Sequence, residues 1–182
     1  MEFSLIYRSK IIENAYKDWV STSDTVLDIG CGNGVVTEEL GRCFSCHVVG
    51  TDVLDYRKRK ILFKIMNGQN KLPFSDNEFN ISMLNDVLHH CDNQEKLLSE
   101  AFRVADKVLI FEVEPSIITK ILDIIINQIH NFRMNIPLNF KTSQEWMGYF
   151  KNLNFDFEYR KTKRLPFYPF INFSFRLKNK II

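Results

Sequence analysis

The sequence predicts an α/β fold, a mostly parallel sheet doubly wound with helices on both faces. Three observations carry that expectation. Short apolar runs alternate with helical periods from Leu5 to Val113. A strand-like run enters a glycine-rich turn at Gly30 and continues straight into a helix. Beyond Pro115 the alternation gives way to two helical segments and a last pair of strands.

Leu5, Ile12, Tyr16, Trp19 and Val20 recur at three- and four-residue spacing, which makes an amphipathic helix. Thr25 to Ile29 is a short apolar run closed by glycines and reads as a buried strand. Val35 to Arg42 is helical, Cys46 to Thr51 is a second strand and Ile61 to Met66 a third. Ser75-Asp76-Asn77 is a turn, and Asn80 to Leu84 follows it as a fourth strand. Asn93 to Val104 is a helix that sets Leu97, Leu98, Ala101 and Phe102 on one face, and Lys107 to Val113 is the fifth strand. Ile117, Ile118, Ile121, Leu122, Ile125, Ile126 and Ile129 keep a helical period until Asn135 to Asn139 breaks it. Thr142-Ser143-Gln144-Glu145 is a capping-box sequence opening a helix through Phe150. Phe155, Phe157 and Tyr159 alternate with charged residues, as do Ile171, Phe173, Phe175 and Leu177 with polar ones. This predicts an antiparallel pair joined by the Pro166 to Pro169 turn.

The 182 residues are 45% hydrophobic and 25% charged, the balance of a soluble globular chain of one domain. Residues 1–22 form its leading helix, 23–115 its core and 116–182 its last helices and strands. A net charge of +2 does not point to nucleic acid. The basic clusters Arg57-Lys58-Arg59-Lys60 and Arg160, Lys161, Lys163 and Arg164 read first as solvated faces, with phosphate contact as the other reading. The first residues lack the apolar core of a secretory signal, and Lys120 and Asp123 interrupt the most apolar stretch, so neither export nor a membrane span is expected and the cytoplasm is the expected location. Cys43-Phe44-Ser45-Cys46-His47 matches the pattern of covalent haem attachment, but that chemistry needs an export route, which is not expected here, and a zinc site is disfavoured because no second Cys-x-x-Cys pair accompanies it. Reduced thiols without a metal are expected.

The chemically informative stretch is Val26-Leu27-Asp28-Ile29-Gly30-Cys31-Gly32-Asn33-Gly34. A strand, a glycine turn and a helix in this order form a nucleotide-binding arrangement. A dinucleotide fingerprint needs its third glycine one position later, where this chain has Val35. Asp28 also disfavours a pyrophosphate by charge, and suits a cofactor with a cationic amino-acid head and no phosphate. S-adenosyl-L-methionine (SAM) fits that description. Asp52 ends the second strand, where a carboxylate can accept from both hydroxyls of a ribose.

Asp28 to Gly34 closely resembles the first motif of class I SAM-dependent methyltransferases. Leu72-Pro73-Phe74-Ser75-Asp76-Asn77-Glu78-Phe79, Asn85-Asp86-Val87-Leu88-His89-His90 and Glu100-Ala101-Phe102-Arg103-Val104 resemble later motifs of the branch that includes ubiquinone and menaquinone biosynthesis enzymes. The resemblance spans about residues 20 to 115. It implies a Rossmann-like seven-stranded sheet with an antiparallel last strand, SAM as cofactor, and cofactor contacts from Asp28, Gly30, Cys31, Gly32, Asp52, Val53, Asn67, Gly68 and Asn85. Two departures stand out. Only Leu54 to Lys60 separate the second and third strands, where the family usually carries a helix. Asn67-Gly68 stands where the family tends to place an acid near the adenine amine; the Asn67 amide oxygen can still accept a hydrogen bond.

Methyl transfer mainly requires alignment of acceptor and methyl group and exclusion of water. Asp86, His89 and His90 follow the fourth strand, at the end where open α/β sheets place ligands. A histidine is either a general base there or a packing residue at a helix entry. The acceptor is expected against the first helix and the segment from Arg133 to Trp146, with Tyr7, Phe132, Met134, Phe140 and Trp146 as candidate lining or as core. A small-molecule acceptor is the leading expectation. RNA or protein acceptors and a non-catalytic SAM-fold partner are the alternatives, and an NAD-dependent oxidoreductase is disfavoured by the glycine spacing.

Overall fold

Side chains that alternate between two apolar layers organise the sheet. The computed structural model describes residues 2–68, 71–121, 125, 138–162, 168 and 170–178. Its strands are β1 (Thr25–Ile29), β2 (His47–Asp52), β3 (Leu62–Ile65), β4 (Phe79–Asn85), β5 (Ala105–Val113), β6 (Asp156–Lys161) and β7 (Asn172–Lys178). They form one sheet in the order β3-β2-β1-β4-β5-β7-β6. β1 to β5 are mutually parallel, whereas β7 runs antiparallel to both β5 and β6. The doubly wound, mostly parallel seven-stranded sheet with an antiparallel last strand is therefore observed.

Helices α1 (Glu2–Tyr16), α2 (Val35–Phe44), α3 (Gln94–Val104) and α4 (Ser143–Asn152) cover it. Val26, Ile81, Met83, Leu109 and Phe111 pack under α1 and α2 with Ile11, Ile12, Tyr16 and Leu40. Their strand neighbours Leu27, Leu84, Val108 and Ile110 point the other way, to Leu97, Leu98 and Phe102 of α3 and Trp146 and Phe150 of α4. The two-residue period of a strand makes this division. β5 is buried from Val108 to Val113, the continuous apolar run of a strand covered on both faces.

The alternation of strand and helix is not complete. No helix joins β2 to β3, and none joins β3 to β4 among the described residues. The first gap is too short and too charged, since Arg57 to Lys60 place four cations in a row with no apolar period. In the second gap Leu72 and Phe74, 1% and 7% exposed, take the place on the sheet that a helix would cover. α3 pins them: Glu100 accepts from the Leu72 backbone N–H at 2.9 Å, and Arg103 donates to the carbonyls of Phe74 at 2.9 Å and Leu72 at 3.1 Å. Arg103 in turn holds the Glu100 carboxyl below the ordinary glutamate range. This gives the Glu100 to Val104 motif its physical purpose.

Other differences are small. α1 stops at Tyr16, and a positive φ of 69° at Asp18 carries the chain away from the helix before Trp19. α2 continues to Phe44, closed by Ser45 at φ 51°. Ile117 to Ile121 and Ile125 are helical, whereas the rest of the run to Ile129 lies outside the described residues. So does the turn from Pro166 to Pro169, apart from Tyr168. Among the described residues no helix is long and apolar enough to cross a membrane.

The predicted capping box is formed. The Thr142 hydroxyl accepts from the Glu145 N–H at 3.2 Å, and the Glu145 carboxylate accepts from the Thr142 N–H at 2.7 Å. Thr142→Ala should lower stability by about 1 kcal/mol, read as a reduced urea midpoint at unchanged slope.

Candidate functional site

The turn leaving β1 is built by three left-handed glycines, Gly30 at φ 74°, Gly32 at 57° and Gly34 at 80°. Gly30 is required twice over. Besides its φ, a Cβ there would lie 2.5 Å from Val87 Cγ2, so the turn closes directly on the residues after β4. The Gly30 and Cys31 N–H groups both donate to the Thr51 carbonyl, at 2.8 and 3.1 Å, which fastens the turn to β2. Cys31 is 7% exposed, and burial pushes its thiol well above the usual range.

Asp28 lies beneath the turn and is 2% exposed. Its carboxylate accepts from the Thr37 hydroxyl at 2.6 Å and from Asn85 Nδ2 at 3.1 Å. Asn85 Oδ1 accepts from the Tyr16 hydroxyl at 2.8 Å. Burial raises the Asp28 pKa to about 6, against which the two hydrogen bonds work. This carboxylate lies in the floor of the site, bonded to Thr37 and Asn85.

Asp52 is half-buried at the end of β2. It accepts from the Gly32 N–H at 2.9 Å and from the Val53 N–H at 2.7 Å, and burial raises its pKa. Each carboxylate oxygen has a second lone pair, so Asp52 can still accept from a pair of hydroxyls beside Gly32. Val53 packs on the core. Asn67 and Gly68 are exposed, with Gly68 at φ 76° and no atom within 4 Å of a Cβ placed there.

The candidates after β4 separate. Asp86, at φ 55°, receives the Arg8 guanidinium of α1, whose Nε donates to Oδ2 at 2.6 Å. Arg8 also donates to the Tyr168 hydroxyl and lies 5.2 Å from the centre of the Phe111 ring. His89 is 2% exposed, shares a 2.5 Å hydrogen bond with Glu112 and stacks on Phe140 at 4.4 Å. Glu112 also accepts from the Leu88 N–H at 2.9 Å. His89 is thus buried inside a single 3₁₀ turn, Leu88–His90, while His90 at the end of that turn is half-buried. Of the suggested acceptor lining, Trp146 is core at 1% exposure, Phe140 covers His89, and Phe132 and Met134 lie outside the described residues.

Sequence reasoning missed Arg8, Tyr16 and Glu112. Each acts on a partner at least 23 positions away, and the periodicity of the first helix marks Tyr16 only as an apolar-face residue. The basic clusters are partly committed within the chain. Arg57 pairs with Asp55, Arg59 with Glu38 and Glu2, and Arg160 lies 4.1 Å over the Trp19 ring. Cys43 and Cys46 are free thiols, and no group of three metal-ligating side chains occurs among the described residues.

Residues 27–108 match the family model described as a methyltransferase domain. The chain is 30% identical over 102 residues to sterol 24-C-methyltransferase of Saccharomyces cerevisiae, and 28% identical over 97 residues to glycine/sarcosine/dimethylglycine N-methyltransferase of Actinopolyspora halophila. These matches take in 50% and 47% of this chain but only 27% and 17% of those proteins. Among solved structures, SAM-dependent methyltransferases of Thermotoga maritima and Archaeoglobus fulgidus superpose with TM-scores of 0.69 and 0.68 at 16% and 14% identity. The superpositions cover 97% and 98% of this chain and 92% and 95% of theirs. At such identities the likeness is one of fold.

The buried Asp28 makes a testable electrostatic statement. Its folded pKa of about 6 lies above the ordinary aspartate value of 3.8, so its favourable contribution is complete below pH 3.8 and lost as pH rises through 6. The gap corresponds to roughly 3 kcal/mol. Asp28→Asn should therefore gain stability relative to the parent between pH 4 and 6.5, seen as urea midpoints that diverge with rising pH. Parallel midpoints would mean that the carboxyl titrates normally.

Proposed function

We propose that this chain is a SAM-dependent methyltransferase that acts on a small molecule. The observation that carries the reading is Asp52 at the end of β2, bonded to Gly32, whose missing side chain leaves a ligand room to approach. The residues fit the cofactor. A Cβ at Gly32 would meet one atom within 4 Å, the Tyr56 hydroxyl, so the surface above this glycine is open on its other sides. The methyltransferase-domain match covers this same segment.

When bound, SAM supplies an electrophilic methyl group on a sulfonium. Asp52 would accept from the ribose hydroxyls. Gly30, Cys31 and Gly32 would let the cofactor reach the backbone, with Val53, Asn67 and Gly68 on the adenine side. Asp28 acts from below through Asn85 and Thr37, fixing the turn and placing a negative charge near the cationic end of the ligand. Catalysis proceeds by alignment. His89 bonds Glu112 and Asp86 bonds Arg8; His90, half-buried at the end of the same turn, is the candidate for a proton-accepting role.

A small acceptor is supported by the relatives, whose names give a sterol and glycine derivatives, and by the internal pairing of Arg57, Arg59 and Arg160. The motifs at Leu72 to Phe79, Asn85 to His90 and Glu100 to Val104 favour an enzyme of the ubiquinone and menaquinone kind.

Calorimetry should show binding of SAM and S-adenosylhomocysteine and none of NAD; tight NAD binding with no response to SAM would overturn the reading. Asp52→Ala should weaken S-adenosylhomocysteine binding by about 1.5–3 kcal/mol with the fold intact. His90→Ala should leave cofactor affinity unchanged. A loss of turnover of about 10²-fold or more, together with loss of an ascending pH limb near 6.5, would make His90 a base; a small, pH-independent change fits alignment alone.

A further inference from the structure

The segment between β2 and β3 is short, yet it is tightly held. The Lys58 N–H donates to the Asn33 carbonyl at 2.8 Å, which ties the segment to the glycine turn. Arg57 forms a bidentate pair with Asp55, with both contacts at 2.8 Å, and donates to the Ile61 carbonyl at 3.0 Å. Its guanidinium lies 4.3 Å over the Phe63 ring. Arg59 bridges Glu38 of α2 at 3.1 Å and Glu2 of α1. Tyr56 is carried inside this frame.

Its position is informative. The Tyr56 hydroxyl stands 3.4 Å from the point that a Gly32 Cβ would take. Asp52 bonds the Gly32 N–H from the end of β2. The Tyr56 phenol and the Asp52 carboxylate thus flank the same glycine, where a ligand hydroxyl bound by Asp52 has the phenol as a neighbour. Tyr56 is 43% exposed, so part of the residue is open to a ligand. Burial of the hydroxyl and the nearby Asp52 carboxylate push the phenol up to about 12, so it keeps its proton and can donate throughout the physiological range.

We propose that Tyr56 is a ribose-side contact of the cofactor pocket: its hydroxyl joins Asp52 in holding the sugar, and its ring walls the side where no helix stands. The inference rests on the proposed SAM binding and adds a residue to that pocket. It makes the β2–β3 segment a built wall, with the arginine pairs fixing Tyr56 in place before the ligand arrives.

The test uses two ligands that share adenosine, S-adenosylhomocysteine and 5′-methylthioadenosine, the second lacking the amino-acid end. By calorimetry, Tyr56→Phe should weaken both by about three- to tenfold, the worth of one hydrogen bond. Tyr56→Ala should weaken both by about ten- to a hundredfold, since the ring contact is lost as well. Thermal melts should match the parent; if the Ala variant melts early, the Phe variant carries the test alone. A loss confined to S-adenosylhomocysteine would put the contact at the amino-acid end and overturn the assignment. Parent-like or tighter binding of both ligands by both variants would overturn it too, with the cofactor reading intact. A parent chain that binds neither ligand would bring down both.

Discussion

The two oxygens of Asp28 tie together the elements that surround the glycine turn. Thr37 brings α2, Asn85 brings β4 and, through Asn85, Tyr16 brings α1, all at hydrogen-bonding distances of 2.6–3.1 Å. A carboxylate this deeply buried is tolerated only when hydrogen bonds replace water, so each partner is needed and none is decorative. The same arrangement sets where β4 ends. Asn85 faces inward, the chain reverses at Asp86 with φ 55°, and Arg8 of α1 meets Asp86 on the open side. α1 is thus held at two points, Tyr16 and Arg8, on either side of the same strand end. The geometry of the turn, the position of Asp52 and the closure of α1 all follow from accommodating one buried anion.

Much of the fold was legible because burial writes itself locally. β1 is a five-residue apolar run ending at glycine, and α3 and α4 announce themselves by three- and four-residue spacing and by their Asn93 and Thr142 caps. β6 and β7 showed the two-residue alternation of apolar and polar residues that marks a strand. The expected regular alternation failed between β2 and β4 because two different substitutes cover the sheet there. A charged loop packs by ion pairs in one gap. In the other, two buried side chains, Leu72 and Phe74, are pinned by Glu100 and Arg103 from across 28 or more positions. Neither substitute leaves a periodic trace.

The site divides along the same line. Gly30, Gly32 and Asp52 were readable because a turn demanding positive φ and a strand-end acid have sequence signatures. The histidines could not be ranked from sequence, since what separates them is Glu112, 23 positions from His89, and the Phe140 ring stacked on it. Tyr56 had no signature at all. It matters through its distance from a glycine side chain that does not exist, and no pattern of residue types records that.

β7 lies between β5 and β6 in the sheet although both precede it in the chain. During synthesis on the ribosome, β5 therefore emerges with a nine-residue, largely apolar edge that its sequence neighbour β6 does not cover. That edge waits for Asn172 to Lys178, whose Phe173, Phe175 and Leu177 are wholly buried once in place. Closure of the core is consequently a late, vectorial event, and the nascent chain passes through a stage in which an open strand edge invites pairing with other chains. Binding by a holdase chaperone would count most in that interval, before the last pair of strands is complete.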